Sequence, residues 1–515
     1  MSTSTTTATN ALSRLDAVPQ APPDPILGVS EAFRADTSPQ RLNLGVGAYR
    51  TEELKPWVLP VVVEAERRML AAGNDKEYLP IEGFAPFNAA TARLLLGDGS
   101  PALSEKRCAT IQCLSGTGSL RIGADFIAKF LPRGTKVFVS DPTWGNHFNI
   151  FGDAGLECGK YRYFDAKTVG LDFEGMIADL DSVPKGSVIV LHGRMVFFLP
   201  LFFFGLFFLQ KHKSSEQVRR PVALLKPPMP EETRKQSNRC DIGMDWESYW
   251  PAQEILSNSA RQSMKRPPTF FPHFLFAHSK TLKKKKKLKR SQGCAHNPTG
   301  VDPTRDQWAA IADACDRNGH LPFFDVAYQG FASGSLDDDA WAPRFFAHER
   351  GLEILVAQSY SKNLGLYAER VGALNFVLSD AGAAARALSQ AKRIARAIIS
   401  NPPVHGARIA AEVVGDPLLF AQWKDEMRTM ADRIRSVRGL LQSELEKASD
   451  AKDWSFVTRQ IGMFSFTGLT PAQVERMTGE HHIYMTKDGR ISLAGLSAAK
   501  APYLAAAIAD CVKNA

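Results

Sequence analysis

Short apolar runs recur along this chain at 136–140, 187–191, 322–325 and 354–358, and each reads as a buried strand. Around them lie alanine- and leucine-rich stretches with helical spacing of apolar positions, 380–399 and 417–447 among them. Strands alternating with helices predict an α/β domain with a mainly parallel sheet. In such sheets ligands collect beyond the carboxyl ends of the strands. Trp144, Asp325 and Lys362 each fall at or just past a strand end, so one site there would gather all three.

The pattern breaks over residues 194–293. That segment opens with a phenylalanine- and leucine-rich run, 195–209, which is short for a bilayer and carries a central proline. Its middle is proline-rich and without period, and near its end stand five consecutive lysines, 283–287, which repel one another and favour solvent. Three readings fit: a disordered insertion, which we favour, an interfacial membrane anchor with a polybasic flank, or translated non-coding sequence.

Charge then changes one conclusion. The net charge of +9 invites a nucleic-acid partner, but 194–293 holds 20 Lys and Arg against 7 Asp and Glu, while the other 415 residues hold 43 against 47. The basicity belongs to the insertion, and no nucleic-acid partner is expected. At 515 residues the chain exceeds one ordinary core, so two or more domains are expected. Its seven cysteines are scattered, with no C-x-x-C, which points to a reducing compartment and away from zinc. Residues 1–17 read as a disordered N-terminus without a secretory signal core, so the cytoplasm is favoured and an organelle stays open.

The richest chemistry lies in Ser359-Tyr360-Ser361-Lys362-Asn363, followed by Arg370. A lysine at the edge of a core is desolvated, which lowers its pKa and frees its amine as a nucleophile. Hydroxyls before it and an arginine after it can cradle a phosphate, so the stretch suggests a pyridoxal-phosphate Schiff base. Ser115-Gly116-Thr117-Gly118 reads as a turn before a helix over 119–130, whose free N–H groups can also hold phosphate. Asp325 ends an apolar strand, where a carboxylate needs a partner. No HExxH, P-loop or GxGxxG pattern competes, and no metal site is expected.

Joining the sequence on either side of 194–293 gives His192-Gly193-Cys294-Ala295-His296-Asn297-Pro298-Thr299-Gly300. With these motifs, from about Val18 to the C-terminus, the chain closely resembles the class I aminotransferases among the fold-type I pyridoxal-phosphate enzymes, above all those acting on aspartate. The resemblance implies a large PLP-binding domain (56–193 and 294–430), built on a mostly parallel sheet. A smaller α/β domain would combine 18–55 with 431–515. It implies pyridoxal 5′-phosphate as cofactor, with Lys362, Asp325, Tyr328 and Trp144 as the catalytic group. Lys362 would hold the cofactor and shuttle the proton, Asp325 would pair with the ring nitrogen, Tyr328 and Asn297 would bond its phenolic oxygen, and Trp144 would stack on the ring. Ser115, Gly116, Thr117, Ser359 and Arg370 would bind the phosphate, joined by Tyr78 across a homodimer interface. His147 and His192 resemble histidines behind the aspartate.

For the substrate, Arg490 resembles the arginine that clamps the α-carboxylate, and Arg396 the one that crosses the dimer interface to the side-chain carboxylate. Asn297 and Gly47 complete that set. Two forked guanidinium groups imply dicarboxylic amino acids and 2-oxoacids. The implied reaction is L-aspartate plus 2-oxoglutarate to oxaloacetate plus L-glutamate, with aromatic amino acids as rival substrates. An impaired chain acting as a binding scaffold is the reading from another class, and membrane contact is expected only through the insertion.

Overall fold

The computed structural model describes residues 14–22, 24, 26–192, 296–450 and 452–514. The expectations for residues 1–13 of the N-terminus and for the insertion at 194–293 therefore lie outside the described residues.

In chain order the strands are β1 (Leu42–Asn43), β2 (Cys108–Leu114), β3 (Val137–Asp141), β4 (Cys158–Arg162), β5 (Phe164–Asp165), β6 (Gly170–Leu171) and β7 (Val188–His192). They continue as β8 (Leu321–Val326), β9 (Ile354–Ser359), β10 (Val371–Val377), β11 (Phe464–Phe466), β12 (Ile483–Tyr484) and β13 (Arg490–Ser492). Seven of them form one sheet in the order β2-β10-β9-β8-β7-β3-β4. All neighbours run parallel except β10, which is antiparallel to both β2 and β9. The α/β architecture expected from the alternation is present, and each of the four strand runs forms a strand of this sheet.

The central strands are apolar on both faces because helices cover both. Successive residues point to opposite sides, so Ile189, Phe324 and Val356 join Trp308 and Phe346 in one core layer, while Val190, Phe323 and Leu355 join Leu120, Ile127 and Ile394 in the other. The register sets the carboxyl edge: His192 pairs with Asp325, Ser359 with Gly372, and Leu114 with Val371. Polar side chains of distant sequence thus meet at one rim. His192 and His296, the described residues that flank the interruption, lie edge to face with ring centroids 4.4 Å apart.

A third core is organised by the helix Pro417–Ala448, capped by Asp416, whose carboxylate accepts from the Leu418 and Leu419 N–H groups. Trp423, Met427, Met430, Ile434, Val437, Leu441 and Leu445 recur at helical spacing along its buried stripe. This helix packs on Ala501–Asn514, and Trp423 Nε1 donates to the Asn363 carbonyl, 2.8 Å away, beside Lys362.

One local expectation is corrected. The Ser115–Gly118 stretch is not a turn ahead of a helix; the helix runs Ser115–Phe130 and starts directly at the end of β2. Ser115 takes a left-handed φ of 59°, which turns the chain from strand to helix within one residue.

Candidate active site

At the carboxyl rim a cavity of about 230 Å³ is lined by Ser115, Gly116, Thr117, Trp144, Asn297, Asp325, Tyr328, Ser359, Lys362, Arg370, Gly47 and Arg490. These twelve expected residues come from seven separate stretches of sequence, and the fold brings them to one place.

At one end, Ser115 Oγ lies 2.8 Å from Ser359 Oγ and 2.7 Å from Ser361 Oγ. Arg370 Nη1 donates to Ser361 Oγ at 3.3 Å, and its guanidinium lines the cavity. The 16-residue helix Ser115–Phe130 opens here, so its first N–H groups and positive dipole end face the hydroxyls. Three hydroxyls, a guanidinium and a helix N-terminus match a phosphate dianion. Ser361 is absent from the sequence-based set. Its position next to Lys362 and two residues past Ser359 was the available signal.

Asp325 stands at the other side of the floor, 9% exposed, with Oδ2 3.4 Å from His147 Nε2. Burial opposes its ionisation, but the His147 imidazole beside it and the Lys362 ammonium outweigh burial and hold the carboxyl below its usual value. Thr143 Oγ1 lies 2.8 Å from His147 Nδ1, on the far side of the ring. Burial pushes His192 down to about 3 and His296 well below its ordinary range, so both rings are neutral near pH 7. His296 is held between Ser140 and Thr299 hydroxyls and stacks on Tyr163 at 4.0 Å. An anionic carboxylate backed by imidazoles and open to an aromatic-walled cavity suits a protonated heterocyclic nitrogen.

Lys362 Nζ lies 5.2 Å from the Tyr328 ring centroid. Tyr328 OH accepts from Asn297 Nδ2 at 3.4 Å, and Asn297 Oδ1 accepts from Arg490 Nη1 at 3.0 Å. Arg490 is buried, its Nη2 donates to the Gly45 carbonyl, and its Nε has no hydrogen-bond partner. Among the described residues no carboxylate pairs with it. A buried guanidinium without a counter-ion is costly, and this one borders the cavity. Its plane lies against the Phe464 ring, 4.5 Å to the centroid. A Cβ on Gly47 would meet that ring at 2.6 Å, so the backbone there must be glycine for Phe464 to sit where it does. Phe464, Tyr367, Ile26 and Val46 also line the cavity and were not legible as site residues.

Two expected residues lie elsewhere. Tyr78 is 88% exposed, and Arg396 is exposed with Nη1 donating to Ser400 Oγ at 2.6 Å; neither lines the cavity of its own chain. The helix Ala381–Ile399 that carries Arg396, with the segment after it, is fastened to the loop of Tyr78, since Asn401 Nδ2 donates to the Leu79 carbonyl and Lys392 pairs with Glu82.

The sequence pattern of the family described as aminotransferase class I and II matches residues 39–195 and 280–508. The chain is 52% identical over 503 residues to a chloroplastic aspartate aminotransferase of Arabidopsis thaliana, covering 98% of this chain and 88% of that protein. It is 51% identical over 500 residues to a mitochondrial aspartate aminotransferase, P2, of Lupinus angustifolius, covering 97% and 88%. Among solved structures it resembles the aromatic-amino-acid aminotransferase of Burkholderia pseudomallei covalently bound to pyridoxal phosphate. That match has a TM-score of 0.75 and 37% identity, and covers 97% of this chain and 100% of that one.

Proposed function

Because the chain belongs to the class I and II aminotransferases, we propose that it uses pyridoxal 5′-phosphate to move an amino group from L-aspartate to 2-oxoglutarate, giving oxaloacetate and L-glutamate. The observation that carries this reading is Arg490, a buried guanidinium with no carboxylate partner among the described residues, bordering the cavity that Lys362 and Asp325 line.

The residues present fit the cofactor: a hydroxyl and guanidinium cradle at one end, an anionic Asp325 across the floor, and a lysine between. When bound, the cofactor supplies a carbonyl to take up the amino group and a cationic ring to draw electrons from the substrate Cα. Ser115, Gly116, Thr117, Ser359, Ser361 and Arg370 would hold the phosphate, and Trp144 would wall the ring. Asp325, kept anionic beside His147, would hold a proton on the ring nitrogen. Tyr328 and Asn297 would hydrogen-bond the phenolic oxygen. Lys362 Nζ would hold the cofactor's carbonyl carbon, and as a free amine it would take the proton from the substrate Cα as general base and return it as general acid.

Arg490 binds the α-carboxylate in a forked pair, with Asn297 and Gly47 shaping the same wall. The exposed positions of Tyr78, on a loop, and Arg396, on the helix tied to that loop, support a homodimer in which Tyr78 of the partner subunit would reach the phosphate and Arg396 of the partner subunit would bind the side-chain carboxylate. We read 56–193 with 294–430 as a large cofactor domain, and 18–55 with 431–515 as a smaller one.

The test is spectroscopic. Purified protein given the cofactor should show a visible absorption band that changes when aspartate is added, and Lys362→Ala should lose the change. No band with excess cofactor would sink the enzyme reading. Turnover of aspartate against phenylalanine decides between dicarboxylic and aromatic substrates. The five described cysteines are free thiols, which supports a reducing compartment. No described helix is long and apolar enough to cross a membrane. We read the compartment as cytoplasm; a tagged full chain found in plastids or mitochondria would overturn that.

A further inference from the structure

Arg438 lies on the core stripe of the helix Pro417–Ala448, between Ile434 and Leu441, where an apolar side chain belongs. It is 3% exposed, and among the described residues no carboxylate pairs with it. Instead Nη1 donates to the Val457 carbonyl at 2.8 Å, and Nη2 to the carbonyls of Gly462, at 2.9 Å, and Phe464. Burying an unpaired cation is expensive, and an apolar residue of similar length would fill the same space at lower cost. What the guanidinium does that such a residue cannot is fix three carbonyls of the chain leading into β11.

The Phe464 carbonyl is a junction. A Cβ on Gly300 would lie 2.8 Å from it, so the loop that carries Asn297 packs on the same oxygen that Arg438 grips. The Phe464 ring is wedged between Gly47, the Tyr328 ring (centroids 5.5 Å apart) and the Arg490 guanidinium. Arg490 itself also donates to Asn297 Oδ1 and to the Gly45 carbonyl. Two of these three supports, the Phe464 ring and the Asn297 amide, therefore trace back to one carbonyl held by Arg438.

We propose that Arg438 is a positioning residue for carboxylate recognition, which fixes Phe464 and the Asn297 loop and thereby the orientation in which Arg490 meets the substrate. This rests on the reading that Arg490 binds the α-carboxylate.

The test uses the full chain loaded with cofactor and two variants, Arg438→Met and Arg438→Lys, with Arg490→Lys as reference. Binding of succinate, a dicarboxylate with no amine to transfer, is measured by calorimetry beside KM and kcat. Arg438→Met should raise the succinate Kd and both KM values about tenfold and Arg438→Lys about threefold, with kcat changed less than about twofold, the pattern of lost binding rather than lost chemistry. Cofactor content should stay at the parent level. A lowered unfolding midpoint with unchanged succinate Kd and KM would show that Arg438 only supports the fold and would overturn the inference. If Arg438→Met does not fold, Arg438→Lys decides alone. Should Arg490→Lys leave succinate binding intact, the carboxylate reading itself falls; if it weakens binding while Arg438→Lys does not, only the role of Arg438 falls. Combining Arg438→Lys with Arg490→Lys should weaken binding no further than Arg490→Lys alone, and additive losses would count against the coupling.

Discussion

Ser115 Oγ lies 2.8 Å from Ser359 Oγ, although the two residues are 244 positions apart. The strands that deliver them, β2 and β9, do not pair with each other. β10 stands between them, and its antiparallel course sets Val371 beside Leu114 and Gly372 beside Ser359. The hydroxyl cluster proposed to cradle the phosphate is therefore built by strand register, with its hydroxyls already turned toward one another.

We expect Arg370→Ala to bind pyridoxal phosphate about 10- to 100-fold more weakly, because a bond from a charged donor contributes about 1.5–3 kcal/mol. Pyridoxal without its phosphate should bind parent and variant alike. An equal loss for both ligands would place the action of Arg370 somewhere other than the phosphate.

Gly372→Ala should destabilise the protein. Its new Cβ would lie 2.3 Å from the Gln358 carbonyl and 2.8 Å from Ser115 Cα, both backbone atoms that cannot swing aside. We expect a loss of about 1–3 kcal/mol from overpacking, read from the denaturation midpoint, together with weaker cofactor binding as Ser115 shifts. An unchanged midpoint would mean the rim is more compliant than this geometry allows.

The neutral histidines give stability a pH dependence with a definite sign. His192 titrates near 6.5 when unfolded but only at about 3 in the fold, so between those values the unfolded chain binds the extra proton. Stability must then fall as pH drops through this window, by about 1.4 kcal/mol per pH unit for each such group. His296 adds to the same slope. Asp325, whose carboxyl is held low, contributes above the unfolded carboxyl range and loses that contribution only at more acid pH. The fall of the denaturation midpoint from pH 6.5 to 4.5 should be shallower in His192→Gln than in the parent; a slope equal to the parent would mean that His192 charges freely in the fold.

Removing residues 194–293 should leave a working enzyme. The rings of His192 and His296 are already in contact at 4.4 Å, so Gly193 rejoined to Cys294 and Ala295 has only a short gap to bridge. The 415-residue product should fold, take up cofactor and turn over aspartate, and should give more soluble protein than the full chain, whose sequence carries the apolar run 195–209. An insoluble or cofactor-free product would show that the segment is needed for folding.

Residues whose chemistry is tied to a short local pattern were legible in the sequence: Lys362 after a buried strand, Asp325 at a strand end, Ser359 and Arg370 around the lysine. Phe464 was not, because an aromatic in β11 looks like any core residue until Gly47 is seen beneath its ring. Ser361 was obscured by its neighbours. Arg438 reads in sequence as one more basic residue of a long polar helix, and only tertiary burial distinguishes it. The left-handed turn at Ser115 escaped because serine seldom adopts that conformation, and it took the packing of Gly372 to make room for it.

The long helix Pro417–Ala448 touches the cavity's surroundings twice, through Trp423 at the Asn363 carbonyl and through Arg438 at the Phe464 carbonyl. At 1.5 Å per residue these grips lie roughly 22 Å apart on one rod. The spacing between the lysine and the carboxylate clamp is therefore gauged by a count of residues. One residue inserted between Trp423 and Arg438 would rotate one grip by about 100° against the other and throw the two out of phase. The same insertion beyond Arg438, toward Ala448, would leave both grips in place. Tolerance to insertion along this single helix should change abruptly at Arg438.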